Sequence, residues 1–266
     1  MLTRIISGIV MIAIVVGVLF THGLTPIVTV LFLAALTAIA TKEMLYNTGI
    51  IKNKVIASVG VIFAFIVNAL YYFLPDAVIF TTVNYALFVV VCAVVWYEEF
   101  KPKAVAAAIS FPIVLSYAFA SIYTIFGGYG LPYLLLVVNC SAICDAGAYF
   151  VGVTLGKHKL CPKISPKKTV EGAVGGIVLS EIVTLIIVFV ARLQGELLQL
   201  MIITFILCIV GMLGDLFASV IKRTVGIKDY GKLIPGHGGI LDRFDSILLI
   251  APVFVQLLKL AEVIRG

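Results

Sequence analysis

Nine apolar stretches, separated by short polar breaks, run along the chain at about 5–20, 24–40, 55–74, 79–95, 104–126, 131–155, 172–191, 196–218 and 247–264. A helix that crosses a bilayer needs about 20 predominantly apolar residues, so each stretch predicts one membrane helix. Nine such helices use about 180 positions and leave too little chain for a separate soluble domain. The expected fold is an all-α polytopic integral membrane protein whose chemistry is built from helix ends and short loops. Arg4 before the first apolar run is like the start of a signal peptide, but no small-residue cleavage pattern follows it. The run is read as a retained helix.

Composition narrows the class further. Of the 266 residues, 62% come from AVILMFWYC and only 12% are Asp, Glu, Lys or Arg, where an ordinary soluble domain has about 25% charged residues. That excludes a soluble globular enzyme, and it excludes disorder, which needs low hydrophobicity and high net charge. The cysteines at Cys92, Cys140, Cys144, Cys161 and Cys208 lie in or beside apolar spans without C-x-x-C pairing. They read as small core residues, not as zinc ligands or a disulfide framework.

Assigning alternate sides to successive loops sorts the basic residues. One side collects Arg4, Lys42, Lys52, Lys54, Lys101, Lys103, Lys157, Lys159, Lys163, Lys167, Lys168, Lys222, Arg223, Lys228, Lys232 and Arg243, which is 16 of the 19. Only Arg192, Lys259 and Arg265 fall on the other. By the positive-inside rule the expected topology has a cytoplasmic N-terminus and an outside C-terminus, in the inner cell membrane. The net charge of +6 then reports orientation, not nucleic-acid binding. Tyr71, Tyr72, Trp96 and Tyr97 fall at expected span ends, where amphipathic rings favour the headgroup level.

The first hundred residues are chemically quiet. Asp76 sits in a turn, Glu98 and Glu99 share a charged loop with Lys101 and Lys103, and His22 is a lone histidine in a turn. The chain therefore divides into N-terminal structural helices over 1–100 and a region over 101–266 that carries the chemistry at its cytoplasmic face. Acids inside a span are costly and usually face a cavity or a partner. Asp145, Glu181 and Asp215 are the three here, and a structural hydrogen bond or ion pair is the plain alternative for each. Asp215 has company: Ser219 and Lys222 fall four and seven residues on, along one helix face, with Arg223 beside them. Gly211 and Gly214, just before, would let another helix approach closely.

Two loops extend this polar region. The first carries Lys157-His158-Lys159 and then Ser165-Pro166-Lys167-Lys168-Thr169-Val170-Glu171-Gly172. Ser followed by Pro suits an N-cap and first helical turn, so the segment is expected to be a lysine-bearing helix N-terminus that attracts anions. Lysines that set topology and meet lipid headgroups are the alternative. The second loop has Lys228, Asp229 and Lys232, then Pro235-Gly236-His237-Gly238-Gly239, then Asp242, Arg243 and Asp245. Its glycines would leave backbone amides to wrap an anion, while Asp242 and Asp245, three apart, can present two carboxylates to one point. Hard oxygen ligands without clustered Cys or His favour Mg²⁺ over a transition metal. Acids for a metal among bases for phosphate are what a metal-nucleotide site needs.

Residues 219–245 resemble the signature of phosphatidate cytidylyltransferases, the CDP-diacylglycerol synthases. Ser219, Lys222, Arg223, Lys228, Asp229, His237, Gly238, Gly239, Asp242, Arg243 and Asp245 fill its fixed positions. Asp145 with Ala148-Tyr149-Phe150, the 165–172 segment, and Gly214-Asp215 look like further family elements. The resemblance covers the second half of the chain; the first half matches only in being hydrophobic. Many members carry an acid immediately before the signature serine, where this chain has Ala218.

The resemblance implies transfer of cytidylyl from CTP to phosphatidate, giving CDP-diacylglycerol and pyrophosphate, with Mg²⁺ as cofactor, the site toward the cytoplasm and a homodimer as the assembly. It implies Asp215, Asp242 and Asp245 as metal ligands, with Asp145 a fourth. Lys222, Arg223, His237, Asp242 and Asp245 would carry catalysis, His237 either bonding a phosphate oxygen or bracing its loop. Ser165, Lys167, Lys168, Thr169, Ser219, Lys228, Gly238, Gly239 and Arg243 would bind substrate. A CTP-dependent lipid kinase would use similar parts, but the complete signature argues against it. A secondary transporter would place broken helices in two repeated halves, and the sequence has no such repeat.

Overall fold

The computed structural model describes residues 2–23, 25–98 and 101–265. Leu24, the expected start of the second span, and Glu99 of the charged loop lie outside the described residues. Helices make up most of the chain: α1 Leu2–His22, α2 Pro26–Lys42, α3 Lys54–Phe73, α4 Pro75–Val95, α5 Pro102–Thr124, α6 Leu131–Val138, α7 Cys144–Leu155, α8 Val170–Val190, α9 Leu197–Thr224, α10 Leu241–Phe244 and α11 Ile247–Arg265. Their starts follow local chemistry. Proline occupies the first turn of α2, α4 and α6, where its missing N–H costs nothing. Asn53 caps α3 by accepting from the amides of Val55 (3.0 Å) and Ile56 (3.4 Å).

Eight segments among the described residues are long and apolar enough to cross a bilayer: Pro26–Asn47, Lys54–Phe73, Pro75–Val95, Pro102–Tyr129, Leu131–Leu155, Val170–Val190, Gln194–Thr224 and Ile247–Ile264. Three of them run on through a single π-helical turn, Glu43–Asn47, Ile125–Tyr129 or Asn139–Ile143. The ninth expected span corresponds to α1, whose described apolar run, Ile6–His22, is shorter. The chain is an all-α polytopic membrane protein, as its hydrophobic pattern predicts. Four of the five cysteines are buried and all are free, in keeping with a packing role.

One local expectation fails. The segment 165–172 does not open a helix at Ser165: β1 Lys159–Cys161 and β2 Ser165–Thr169 form an antiparallel hairpin, with Lys159 opposite Thr169 and Cys161 opposite Ser165. The helix starts at Val170, because Thr169 is the cap. Its backbone is extended and its Oγ1 accepts from the Gly172 amide at 3.2 Å. Pro166 sits in a two-stranded ribbon, where every strand is an edge and proline is tolerated.

The chain forms two compact units. The first comprises Met1–Tyr123 and Thr224–Phe244; the second comprises Thr124–Arg223 and Asp245–Gly266. In the first, α3 packs against α2 and α4, with Gly60 leaving no room for a Cβ against Leu45 and the Tyr85 hydroxyl. In the second, α7 and α8 make the closest helix pair. Gly172 and Gly176, four apart on α8, meet the Ala148 and Cys144 carbonyls of α7, and Gly147 returns the contact at Gly176. Small residues at this spacing let two membrane helices approach to backbone contact. Asn139 pins the same unit by donating to the Ser180 carbonyl (2.9 Å) and the Thr184 hydroxyl (3.0 Å).

Candidate functional site

In the second unit the polar side chains gather from four elements. Asp145 stands in the first turn of α7, Lys168 on β2, Asp215 and Lys222 on the last turns of α9, and Asp245 just before α11. Lys168 Nζ lies 2.5 Å from Asp215 Oδ2, an ion pair rather than an aligned hydrogen bond. Lys222 Nζ lies 3.9 Å from Asp245 Oδ2, at the outer limit of an ion pair. Asp145 senses the charges of both Lys168 and Asp215. Burial, then the Asp215 charge, push the Asp245 carboxyl up to about 6, with Lys222 and the Ser246 amide pulling the other way.

The close approach expected at Gly211 and Gly214 is present. A Cβ on Gly214 would stand 2.9 Å from the Asp245 carbonyl oxygen, and one on Gly211 would run into Ile250. The bare backbone of α9 thus seats the start of α11 and with it Asp245. Ser219, Lys222 and Arg223 share the end of α9 with Asp215, Arg223 being exposed. On the hairpin, Lys167 is exposed and Ser165 half-buried, while Thr169 is buried among Gly152, Gly156 and Gly172. Thr169 is thus a buried helix cap.

The first unit holds the glycine-rich loop. Lys228, Asp229, Lys232, His237, Gly238 and Arg243 are among the residues lining a cavity of about 680 Å³, so bases outnumber acids on its wall. The loop turns tightly: Ile234 and Gly238 form an isolated antiparallel bridge, and Gly236 and Gly238 take φ of +78° and +86°, a region that favours glycine. Not all its amides remain for an anion. Gly239 N–H, with Tyr230 N–H, donates to Asp242 Oδ2 at 3.0 and 2.8 Å. Asp242 is buried and draws the two ends of the loop together, while Asp215 and Asp245 belong to the second unit.

Glu43 is the residue that sequence reasoning missed. It follows α2 in a π-helical turn, is 4% exposed, and accepts from the amides of Ile240 (3.1 Å) and Leu241 (2.8 Å). Gly231 and Gly239 crowd its carboxylate so closely that neither has room for a Cβ. The available signal was an acid at the end of an apolar span, where acids are costly. Glu181 has a plainer role, since its Oε1 accepts from the Thr204 hydroxyl at 3.0 Å.

Among the described residues, no three His, Cys, Asp or Glu side chains stand close enough together to hold a metal ion unaided. Mg²⁺ does not require that, because it is usually held by one or two carboxylates together with substrate phosphates and water. Asp245 feels the charges of Asp215 and Asp145, and one or two of these carboxylates, with substrate phosphates, would be the oxygen donors such a cation takes.

These features define a class: an integral membrane protein with an acid-and-lysine cluster at helix ends in one unit and a basic, glycine-rich loop in the other, groups suited to handling phosphates. Residues 2–261 match the model of the cytidylyltransferase family, and the chain belongs to that family. A phosphatidate cytidylyltransferase of Bacillus subtilis strain 168 is 49% identical over 132 residues, covering 50% of this chain and 49% of that protein. One from Staphylococcus saprophyticus is 50% identical over 129 residues, covering 48% and 50%, and one from Staphylococcus haemolyticus is 46% identical over 129 residues, covering 48% and 50%. The chain thus spans about half the length of the curated relatives it matches.

Proposed function

We propose that this protein transfers cytidylyl from CTP to phosphatidate, forming CDP-diacylglycerol and releasing pyrophosphate. The observation that carries the reading is the grouping of Lys168 and Lys222 with Asp145, Asp215 and Asp245 in one unit, in a chain of the family to which the named relatives belong. In the reaction a phosphate oxygen of the lipid attacks the α-phosphorus of CTP, one P–O bond forms, and the bond to the β-phosphate breaks. No covalent enzyme intermediate is needed. The lipid phosphate is already ionised near pH 7, so the protein's task is to position two anions that repel each other and to offset charge on the leaving group.

Lys222 and Lys168 supply that positive charge from α9 and the hairpin. Lys228, Lys232 and Arg243 line the cavity of the first unit, for which a nucleoside triphosphate is a chemically matched occupant. Asp215 and Asp245, with Asp145, are the residues that would hold Mg²⁺, which when bound supplies Lewis-acid neutralisation of phosphoryl charge. Asp242 serves first to brace the loop. A location in the inner membrane with the site toward the cytoplasm is supported by the side on which 16 of 19 basic residues fall; a homodimer is supported by family resemblance alone.

Labelled CTP tests the reading. Purified protein given phosphatidate and Mg²⁺ is expected to carry α-label into lipid and release γ-label as pyrophosphate. A lipid kinase would send γ-label into lipid and release CDP, and a transporter would transfer neither; either result would replace the proposal.

A further inference from the structure

The first helix, which the sequence left without a role, touches the glycine-rich loop through Ser7. Ser7 Oγ lies 3.0 Å from the Pro235 carbonyl oxygen and 2.8 Å from His237 Nδ1. Gly8, the next residue, places helix backbone against the same ring, since a Cβ there would meet His237 Cε1 at 3.8 Å, ordinary van der Waals contact. A serine hydroxyl has one proton, and a carbonyl oxygen only accepts. Where the proton of Ser7 is directed at Pro235, the hydroxyl accepts from His237. That makes Nδ1 the protonated ring nitrogen.

The consequence falls on the other nitrogen. In a neutral imidazole one nitrogen donates and the other accepts, and which is which is set by the partner of the first. With Nδ1–H directed at Ser7, Nε2 is the nitrogen left for the cavity that His237 lines together with Lys228, Asp229, Lys232 and Arg243. In the cationic form Nε2–H donates to a phosphoryl oxygen; in the neutral form Nε2 accepts from a protonated phosphate or a bound water.

We propose that Ser7 is a positioning residue: by accepting Nδ1–H of His237 while donating to Pro235, it fixes the ring so that Nε2 meets a phosphoryl oxygen of the nucleotide in the loop cavity. The phosphate half of this assignment rests on the reaction proposed above; the tautomer half does not. It gives α1 a part in the site that an anchoring helix would not have. It also resolves the two readings of His237, which braces its loop through Nδ1 and serves ligand through Nε2.

The chain has three histidines, so ¹⁵N-histidine labelling of the full protein in lipid nanodiscs yields three resonance pairs, with His237 identified by its loss in His237→Asn. The wild type should show His237 with Nδ1 protonated, and CTP should shift its Nε2 resonance. Ser7→Ala should produce a mixture that includes the Nε2–H tautomer and raise the KM for CTP about tenfold, the scale of one misdirected charged hydrogen bond, with kcat changed less. Ser7→Thr, which keeps the hydroxyl, should restore both. An Nε2–H tautomer in the wild type, or an unchanged His237 spectrum in Ser7→Ala, would overturn the role of Ser7 and leave the reaction standing. Absence of any CTP effect on Nε2 would overturn the phosphate contact. Failure of wild-type protein to label lipid would remove the reaction and the phosphate contact together.

Discussion

Lys168, on a hairpin strand, meets Asp215, near the end of α9, at 2.5 Å with each side chain about three-quarters buried. Forty-seven residues separate them in sequence, and the pair exists because Thr169 ends the strand and caps α8 immediately after the lysine. Removing one member of a buried pair leaves an uncompensated charge, which costs about 3–5 kcal/mol when burial is complete.

The first prediction follows from that pair. With partial exposure the cost should shrink to about 1–3 kcal/mol. Lys168→Met is therefore expected to lower the unfolding midpoint in detergent more than the double change Lys168→Met with Asp215→Asn. A double variant destabilised by the sum of the Lys168→Met and Asp215→Asn effects measured singly would show that the pair contributes no coupling.

Glu43 yields the second. Its two oxygens hold two buried amides, each costing about 1–3 kcal/mol if orphaned. Glu43→Ala should reduce cytidylyl transfer by at least tenfold, and Gly239→Ala, whose new methyl would occupy the carboxylate's place, should do the same. Glu43→Gln, which keeps one acceptor, should fall between. Steady-state rates at saturating CTP decide it; wild-type turnover in Glu43→Ala would dismiss the carboxylate as a loop anchor.

Third, Gly214→Ala tests how Asp245 is seated. The added methyl would stand 2.9 Å from the Asp245 carbonyl oxygen and must displace that segment. Turnover should fall tenfold or more, whereas Gly195→Ala, where a Cβ meets open space, should leave it unchanged.

Metal dependence is the fourth. Chelation should abolish transfer and added Mg²⁺ restore it. Asp215→Asn and Asp245→Asn should each cut kcat by orders of magnitude while remaining folded by circular dichroism. Activity in excess chelator would eliminate the metal from the proposal.

Topology is the fifth. In a cysteine-free background, single cysteines near residue 53 and within 158–168 should resist an impermeant thiol reagent in intact cells, and one at the C-terminus should react. Labelling at residue 53 from outside would reverse the assigned orientation.

The membrane-spanning fold was legible in the chain itself, because a bilayer imposes a length and an apolar content that a hydrophobic pattern displays directly. Asp215, Ser219 and Lys222 could likewise be placed on one helix from spacing alone, since 3.6-residue periodicity is a local property. So could the need for bare backbone at Gly211 and Gly214. What tertiary structure decided is which distant groups meet. The Ser165 segment reads as a helix start by its Ser-Pro, yet it pairs as a strand with Lys159–Cys161, an interaction local propensity does not contain. Glu43 gave no sign of binding the amides of Ile240 and Leu241, nor Ser7 of orienting His237, because each contact joins residues about 200 or more positions apart. Hydrogen-bond partners across such a span are chosen by how helices pack, and helix packing is set by side-chain shape at many positions at once, which no single stretch of sequence records.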